Sequence, residues 1–232
     1  MRVPLRVAGF VWVTSWLVGG LFLAWIALAA MGVDLSGDQE LTIPQLAVSA
    51  TTSWATFAVA LMLVSQRFGT GEPLTDYAVR FRPIDLVAVP AGAAAQVLLL
   101  PALYWPLREL WPDTFSQEAL EERARELADG ATGGNAVLLV IVVAIGAPLF
   151  EELMYRGLLQ RSLVDTIGRW PGLVAASLWF AAIHFAPVEL PGLFLAGMVF
   201  GGALHLTGRL GPSMLAHFGF NAAGLAIAFS AN

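Results

Sequence analysis

Long uncharged runs constrain this chain more than any other feature of its sequence. A transmembrane helix needs about 20 consecutive apolar residues. Uncharged, mostly apolar stretches of about this length occur at 7–33, 41–66, 86–107, 130–150, 170–188, 190–208 and 210–232. Hydrophobic residues make up 58% of the 232 residues and charged residues only 12%, whereas about a quarter of a soluble protein is charged. We therefore expect an all-α fold, a polytopic membrane bundle of about seven transmembrane helices.

Composition narrows the chemistry that this bundle can perform. The chain has no cysteine, so disulfides and thiolate sites are excluded, and any metal ion would need His, Asp or Glu ligands. The net charge is −5, and no basic cluster suggests binding to nucleic acid. We therefore expect a lipid bilayer, and no nucleic acid, among the partners.

The arginines predict the orientation, because cytoplasmic loops of membrane proteins carry the excess of basic residues. With the N-terminus inside, nine of the arginines fall on the cytoplasmic side and three outside. The sequence thus predicts a cytoplasmic N-terminus. Residues 113–129 mix acidic residues with apolar ones at helical spacing, which predicts an amphipathic helix on the outer surface.

Two adjacent glutamates end the uncharged run at 130–150. Glu152 and Arg156 are four residues apart, so they share a helix face and can form an ion pair. Glu151 is rotated by about 100° from Glu152, so it faces another side. Pro148 lacks a backbone donor, which predicts a kink. Taken alone, this cluster fits equally well a solvated salt bridge at the cytoplasmic end of a span.

All three histidines lie within apolar runs, where ionisable side chains are costly and usually have partners. Phe180 and His184 share one helix face, as do His217 and Asn221, because each pair is four residues apart. A single histidine of this kind is more often a hydrogen-bonded packing residue than a base or a ligand. We assign that packing role to His205.

In order, these residues spell EELMYR at 151–156, FAAIH at 180–184 and HFGFN at 217–221. This pattern resembles the three-motif signature of the CPBP intramembrane proteases, the family of the type II CAAX prenyl proteases and the bacterial Abi and bacteriocin-processing proteins. The resemblance covers roughly 130–230. It divides the chain into variable N-terminal transmembrane helices at 1–112, the amphipathic interfacial helix at 113–129, and a catalytic helical core at 130–232.

The resemblance implies an intramembrane endopeptidase of a bacterial cell membrane, whose active site opens toward the cytoplasm. Its substrate would be a membrane-embedded or membrane-anchored peptide. By analogy with the family, Glu151 and His184 would activate a water molecule, and His217 and Asn221 would stabilise the oxyanion. Glu152, Arg156 and Phe180 would support the site.

Several alternatives stay open at this point. Glu151, His184 and His217 also form a residue set that could hold one catalytic zinc ion, although the compact H-E-x-x-H helix is absent; a metal-free, glutamate-dependent mechanism is favoured. A protein of the same family could instead be a non-proteolytic immunity or scaffold protein. Outside the family, the same residues could line a transporter or bind haem.

Overall fold

The structure, a computed structural model, describes residues 1–34 and 40–230, and all regular secondary structure within these ranges is helical. One turn of helix, Pro73–Asp76, lies among eight longer helices. Six of these are long and apolar enough to cross a membrane. The all-α polytopic bundle is therefore confirmed. The helices are α1 Leu5–Ala30, α2 Ile43–Phe68, α3 Pro83–Leu110, α4 Gln117–Asp129, α5 Gly134–Ile167, α6 Arg169–Ala182, α7 Leu190–Thr207 and α8 Leu210–Ser230.

The expected span at 170–188 is only partly helical. Helix α6 has 14 residues, which corresponds to about 21 Å and is less than the hydrocarbon thickness of about 30 Å. It ends because the chain turns through residues 183–189 to start α7. Helices α6 and α7 pack on each other as a hairpin, and Gly197 permits the contact, since a Cβ there would lie 3.0 Å from Ser177 Cα. The described residues thus contain six candidate spans, and the seventh span expected from the sequence is the shorter helix α6.

The glutamate pair does not mark the end of a span, as one interpretation of the sequence proposed. Helix α5 continues for 34 residues, and Glu151 and Glu152 lie near its middle. The uncharged run of the sequence stops at these glutamates, but the helix continues. It can do so because neighbouring helices pack around the residues that follow. Just before Pro148 the backbone adopts π-helical pairing over Ile141–Gly146, which is one way a helix accommodates a residue without an N–H.

Local signals fix where the other helices begin and meet. Helix α2 starts at a capping box, in which the Thr42 N–H donates to Gln45 Oε1 at 2.8 Å. Helices α3 and α8 touch backbone to backbone, because a Cβ at Gly92 would collide with the carbonyl of Ala216. Gly92 thus joins α3 to α8, as Gly197 joins α6 to α7.

The two ends of the bundle differ in charge. The arginine-rich end comprises residues 1–4, 69–82, 168 and 208–209, together with the adjoining helix turns, and the arginine-poor end comprises residues 31–34, 40–42 and 111–133. Helix α4 belongs to the arginine-poor end. The side chains of residues 121, 123, 124, 126 and 127 are outside the described part of the chain, as are residues 231–232 of the expected last span, so the apolar face of α4 stays a prediction.

Candidate active site

Four of the polar residues singled out from the sequence line one cavity of about 420 Å³: Glu151, His184, His217 and Asn221. They come from three parts of the chain, namely the middle of α5, the turn after α6, and the first half of α8. The structure therefore brings together the residues that the sequence motifs predicted would meet.

Glu151 is the carboxylate that faces this cavity. Its side chain is partly exposed, and among residues 1–34 and 40–230 no hydrogen-bond or ion-pair partner is found for it. Glu152, one residue later, is completely buried. The helical rotation expected from the sequence thus gives the two glutamates different surroundings.

Glu152 lies at the centre of a buried polar cluster. Its Oε1 atom is 3.0 Å from Arg156 Nη1, as the four-residue spacing predicted, and 2.8 Å from His217 Nδ1. The Ser213 hydroxyl lies 2.6 Å from both Glu152 Oε2 and the carbonyl oxygen of Phe200, and its single proton bridges to one or the other. Glu152 therefore holds a helix turn and also orients His217, a contact that the sequence had not revealed.

The bond to Glu152 fixes the chemistry of His217. A carboxylate oxygen accepts, so His217 Nδ1 carries the proton and Nε2 is the ring atom left for the cavity. The ring stacks on Phe200 with centroids 4.3 Å apart and planes 14° apart. This packing leaves the imidazole little freedom to turn.

His184 is fixed in a similar way at the end of α6. Its Nδ1 lies 2.7 Å from the Phe180 carbonyl oxygen, which can only accept, so Nδ1 is protonated and Nε2 has a free lone pair. Histidine side chains commonly cap the last carbonyls of a helix in this manner. The next residue, Phe185, has a φ of 50°, a left-handed conformation that ends the helix and is unusual for a bulky side chain.

Asn221 connects α8 to α5. Its Nδ2 donates to the Val143 carbonyl oxygen at 2.7 Å. One amide proton and the Oδ1 atom remain for other partners.

Phe180 packs between the ionic cluster and the histidines. Its ring lies 4.3 Å from the Arg156 guanidinium carbon, in cation–π geometry, and meets the His184 ring edge-on at 4.8 Å. Arg156 Nη2 also donates to the Gly197 carbonyl at 3.4 Å. Gln160, one turn further along α5, donates to the Gly201 carbonyl at 3.0 Å, so the two glycines of α7 leave their carbonyls open to polar side chains of α5.

Helices α1 and α2 complete the cavity wall, which the motifs alone did not predict. Trp16, Ser53, Trp54 and Phe57 all line it. The Trp54 ring stacks on Phe150 at 5.1 Å and lies so close to Gly146 that a Cβ there would collide with it.

The proposed zinc ligands do not fit a metal ion in this arrangement. Among the described residues, no three His, Asp or Glu side chains are grouped closely enough to hold one.

His205 lies away from this site. It belongs to the arginine-rich end, where Arg169 Nε donates to its Nε2 at 2.6 Å and the Trp170 ring packs against it at 4.8 Å. This position agrees with the packing role expected for it and makes it a useful control.

A comparison with known protein families gives a match to the core of the chain. Residues 133–223 match the family model described as Type II CAAX prenyl endopeptidase Rce1-like, which confirms the resemblance suggested by the motifs. A comparison with curated proteins and one with solved structures gave no match. The family match and the apolar helices identify a membrane protein and support intramembrane endopeptidase activity in general terms.

Proposed function

We propose that this chain, with its Rce1-like core at 133–223, hydrolyses peptide bonds of a membrane-embedded or membrane-anchored substrate by means of a water activated by Glu151 and His184. One observation carries the proposal: a carboxylate without a partner and two imidazoles with committed Nδ1 atoms share one cavity. The described residues therefore offer two proton acceptors and a separate donor group at the same place.

The two proton acceptors, Glu151 and His184, are suited to activating the attacking water. Glu151 takes one proton as the water oxygen attacks the scissile carbonyl carbon, and His184 Nε2 accepts a hydrogen bond from the other O–H. When the C–N bond breaks, the leaving amine takes the proton from Glu151. The products are an amine and a carboxylic acid, which then loses its remaining proton to the amine or to water, and the enzyme returns to its starting protonation state.

The hydrogen-bond donors, His217 and Asn221, are suited to stabilising the oxyanion that develops on the scissile carbonyl. When His217 carries a second proton, its Nε2–H points a donor at the developing negative oxygen while its Nδ1–H stays on Glu152. The second amide proton of Asn221 supplies another donor. Because Arg156 already balances Glu152, a protonated His217 gives the cluster one net positive charge, opposite in sign to the oxyanion.

The test compares three forms of the protein in the same membranes: wild type, Glu151→Gln, and His205→Gln as a control outside the cavity. New peptide N-termini in the membrane proteome are labelled and counted. We expect Glu151→Gln to lower cleavage by about 10²–10⁴-fold, the usual contribution of a general base, while His205→Gln cleaves normally. Full activity of Glu151→Gln would show that the base is wrongly assigned.

Metal analysis distinguishes the metal-free mechanism from a zinc-dependent one. Purified wild type and His184→Ala are compared for zinc content. We expect no stoichiometric zinc in either protein; zinc present in wild type and lost in His184→Ala would overturn the metal-free mechanism.

A further inference from the structure

The active-site cavity occupies only one part of the bundle's length. His217 is the eighth residue of α8, about 10 Å from the arginine-rich end, and Phe180 is the twelfth of α6, about 17 Å from it. At the other extreme, Leu46 and Leu193 line the cavity and are the fourth residues of α2 and α7, about 5 Å from the arginine-poor ends of those helices. The cavity thus extends from the middle of the bundle toward the arginine-poor end.

The arginine-rich half is closed by packing. Of the nine residues Glu152–Gln160 in α5, all but Leu153 are buried, so the helix is surrounded on every side there. Beyond them Tyr77 and Leu210 are fully inaccessible, and the Tyr77 hydroxyl donates to the Leu61 carbonyl at 2.8 Å. A peptide would have to unpack this half of the bundle to reach Glu151 from that end.

The arginine-poor half is loosely packed by comparison. Ala50 and Ser53 on α2, Val143 on α5 and Ile183 after α6 line the cavity and are all partly exposed. Glu151 and His184 are partly exposed as well, whereas Glu152 and His217 on the closed side are buried.

Charge then assigns the two ends to the two sides of the membrane. Eight arginines lie at the arginine-rich end and three in residues 108–125 near the other; Arg156, counted from the sequence as a loop residue, is inside the bundle. Basic loops stay in the cytoplasm. By the same rule that predicts a cytoplasmic N-terminus, the arginine-rich end is assigned to the cytoplasm.

We infer that substrates reach the site from the non-cytoplasmic side of the membrane, through the opening lined by Leu46, Ser53 and Leu193, which is opposite to the side that the family resemblance implied. The inference rests on the proposed function and deepens it. The substrate class is then an apolar segment of a translocated or membrane-anchored chain that is presented at the outer half of the bilayer.

The chain has no cysteine, so single cysteines can report this geometry directly. Three variants serve: Ser53→Cys inside the cavity, Thr75→Cys in the helical turn Pro73–Asp76 at the arginine-rich end, where it is exposed, and Thr114→Cys in the exposed loop at the other end. Each is treated with a membrane-impermeant maleimide in right-side-out and in inverted membrane vesicles. We expect Ser53→Cys and Thr114→Cys to react at least tenfold faster in right-side-out vesicles, and Thr75→Cys in inverted ones.

Two results would overturn the inference. Ser53→Cys could react from the same side as Thr75→Cys, or it could react from neither side while reacting normally in detergent. Labelling of Thr75→Cys in right-side-out vesicles would overturn the assignment of sides. Because labelling does not require cleavage, the same pattern is expected for Ser53→Cys combined with Glu151→Gln, which keeps this test separate from that of the proposed function.

Discussion

Arg156 is the largest fully buried side chain of the described residues, and its surroundings compensate its charge. Glu152 supplies the opposite charge, and the rings of Phe180 and Phe200 lie 4.3 and 5.4 Å from the guanidinium carbon. A buried charge without its partner costs far more than the intact pair contributes. The pair is therefore sensitive to the loss of either member.

Arg156→Ala should lower the free energy of unfolding by about 3–5 kcal/mol, because it leaves Glu152 buried without its counter-ion. The double variant Glu152→Gln/Arg156→Met should recover much of this loss yet remain inactive, since His217 loses its carboxylate. Thermal unfolding in detergent and peptide cleavage measure the two effects, with the exposed Arg6→Ala as control. A double variant as unstable as the single one would contradict the ion-pair explanation.

For single residues, the sequence predicted contacts within one helix better than contacts between helices. The Glu152–Arg156 pair follows from helical spacing alone, and so does the different orientation of Glu151. The bond from His217 to Glu152 could not be foreseen, because it joins residues 65 positions apart on different helices. Ser213 was missed although it lies four residues before His217, and the regular spacing of Ser213, His217 and Asn221 on one face of α8 was a signal that could have revealed it.

Between elements, the contact of α2 with α5 depends on one missing side chain. The Trp54 ring lies where a Cβ of residue 146 would stand. Gly146→Ala should therefore push α2 away and lower the free energy of unfolding by about 1–3 kcal/mol, the usual cost of overpacking. Thermal unfolding in detergent measures it.

The matched control for this change is Gly202→Ala in α7, where a Cβ meets nothing within 4 Å. Alanine is the better helix former, so this variant should be neutral or slightly more stable. If both glycine variants behaved alike, the close approach of Trp54 would not limit the packing of α2 on α5.

A second link between elements lies at the arginine-rich end, where Asp76 fastens the loop after α2. The Ser65 hydroxyl donates to its Oδ2 at 2.5 Å and the Thr70 N–H to both carboxylate oxygens at 3.0 Å. These hydrogen bonds, that of Ser65 foremost, hold the pKa of Asp76 below its ordinary value of 3.8, against the opposing effect of burial.

Because the folded pKa is the lower one, ionised Asp76 stabilises the fold. This contribution is complete above the unfolded value near 3.8 and is lost as the pH falls through the folded value. The difference in Tm between wild type and Asp76→Asn should therefore shrink as the pH is lowered from 6 to 3. A difference that stayed constant over this range would exclude the carboxylate as its cause.

The sequence predicted the elements from the lengths of uncharged runs, and this worked where a run ends in a loop. It failed at α5, where charges lie inside the bundle instead of beyond it, and at the short α6, where an apolar run continues through a turn. Run length cannot distinguish water from a neighbouring helix as the partner of a polar residue.

Taken as a whole, the molecule surrounds its site with residues from six different parts of the chain and gives the cavity an apolar, aromatic wall. No lysine or arginine lines it among the described residues, and Glu151 is its one carboxylate. Bringing a charged side chain into such a place costs a few kcal/mol when no partner is present.

Peptides that are uncharged around the scissile bond should therefore be cleaved at least about tenfold faster than versions with an aspartate there, since tenfold corresponds to only about 1.4 kcal/mol. A lysine in the same place should be tolerated better than the aspartate, because the Glu151 carboxylate would attract the lysine and repel the aspartate. Matched synthetic peptides, cleaved by purified protein and measured by mass spectrometry, test this order. Equal rates for all three peptides would show that the apolar wall of the cavity does not select against charged side chains.

The placement of Glu152 and Arg156 on one helix also bears on how the protein is made. Helix α5 carries both members of the pair, so these two opposite charges can enter the bilayer together before the neighbouring helices surround them. His217 belongs to α8, which leaves the ribosome after α5, and it can meet Glu152 only after that later helix has packed. The proposed catalytic site thus forms only after α8 has been made, and a chain that is inserted in the membrane without α8 would lack the donor half of that site.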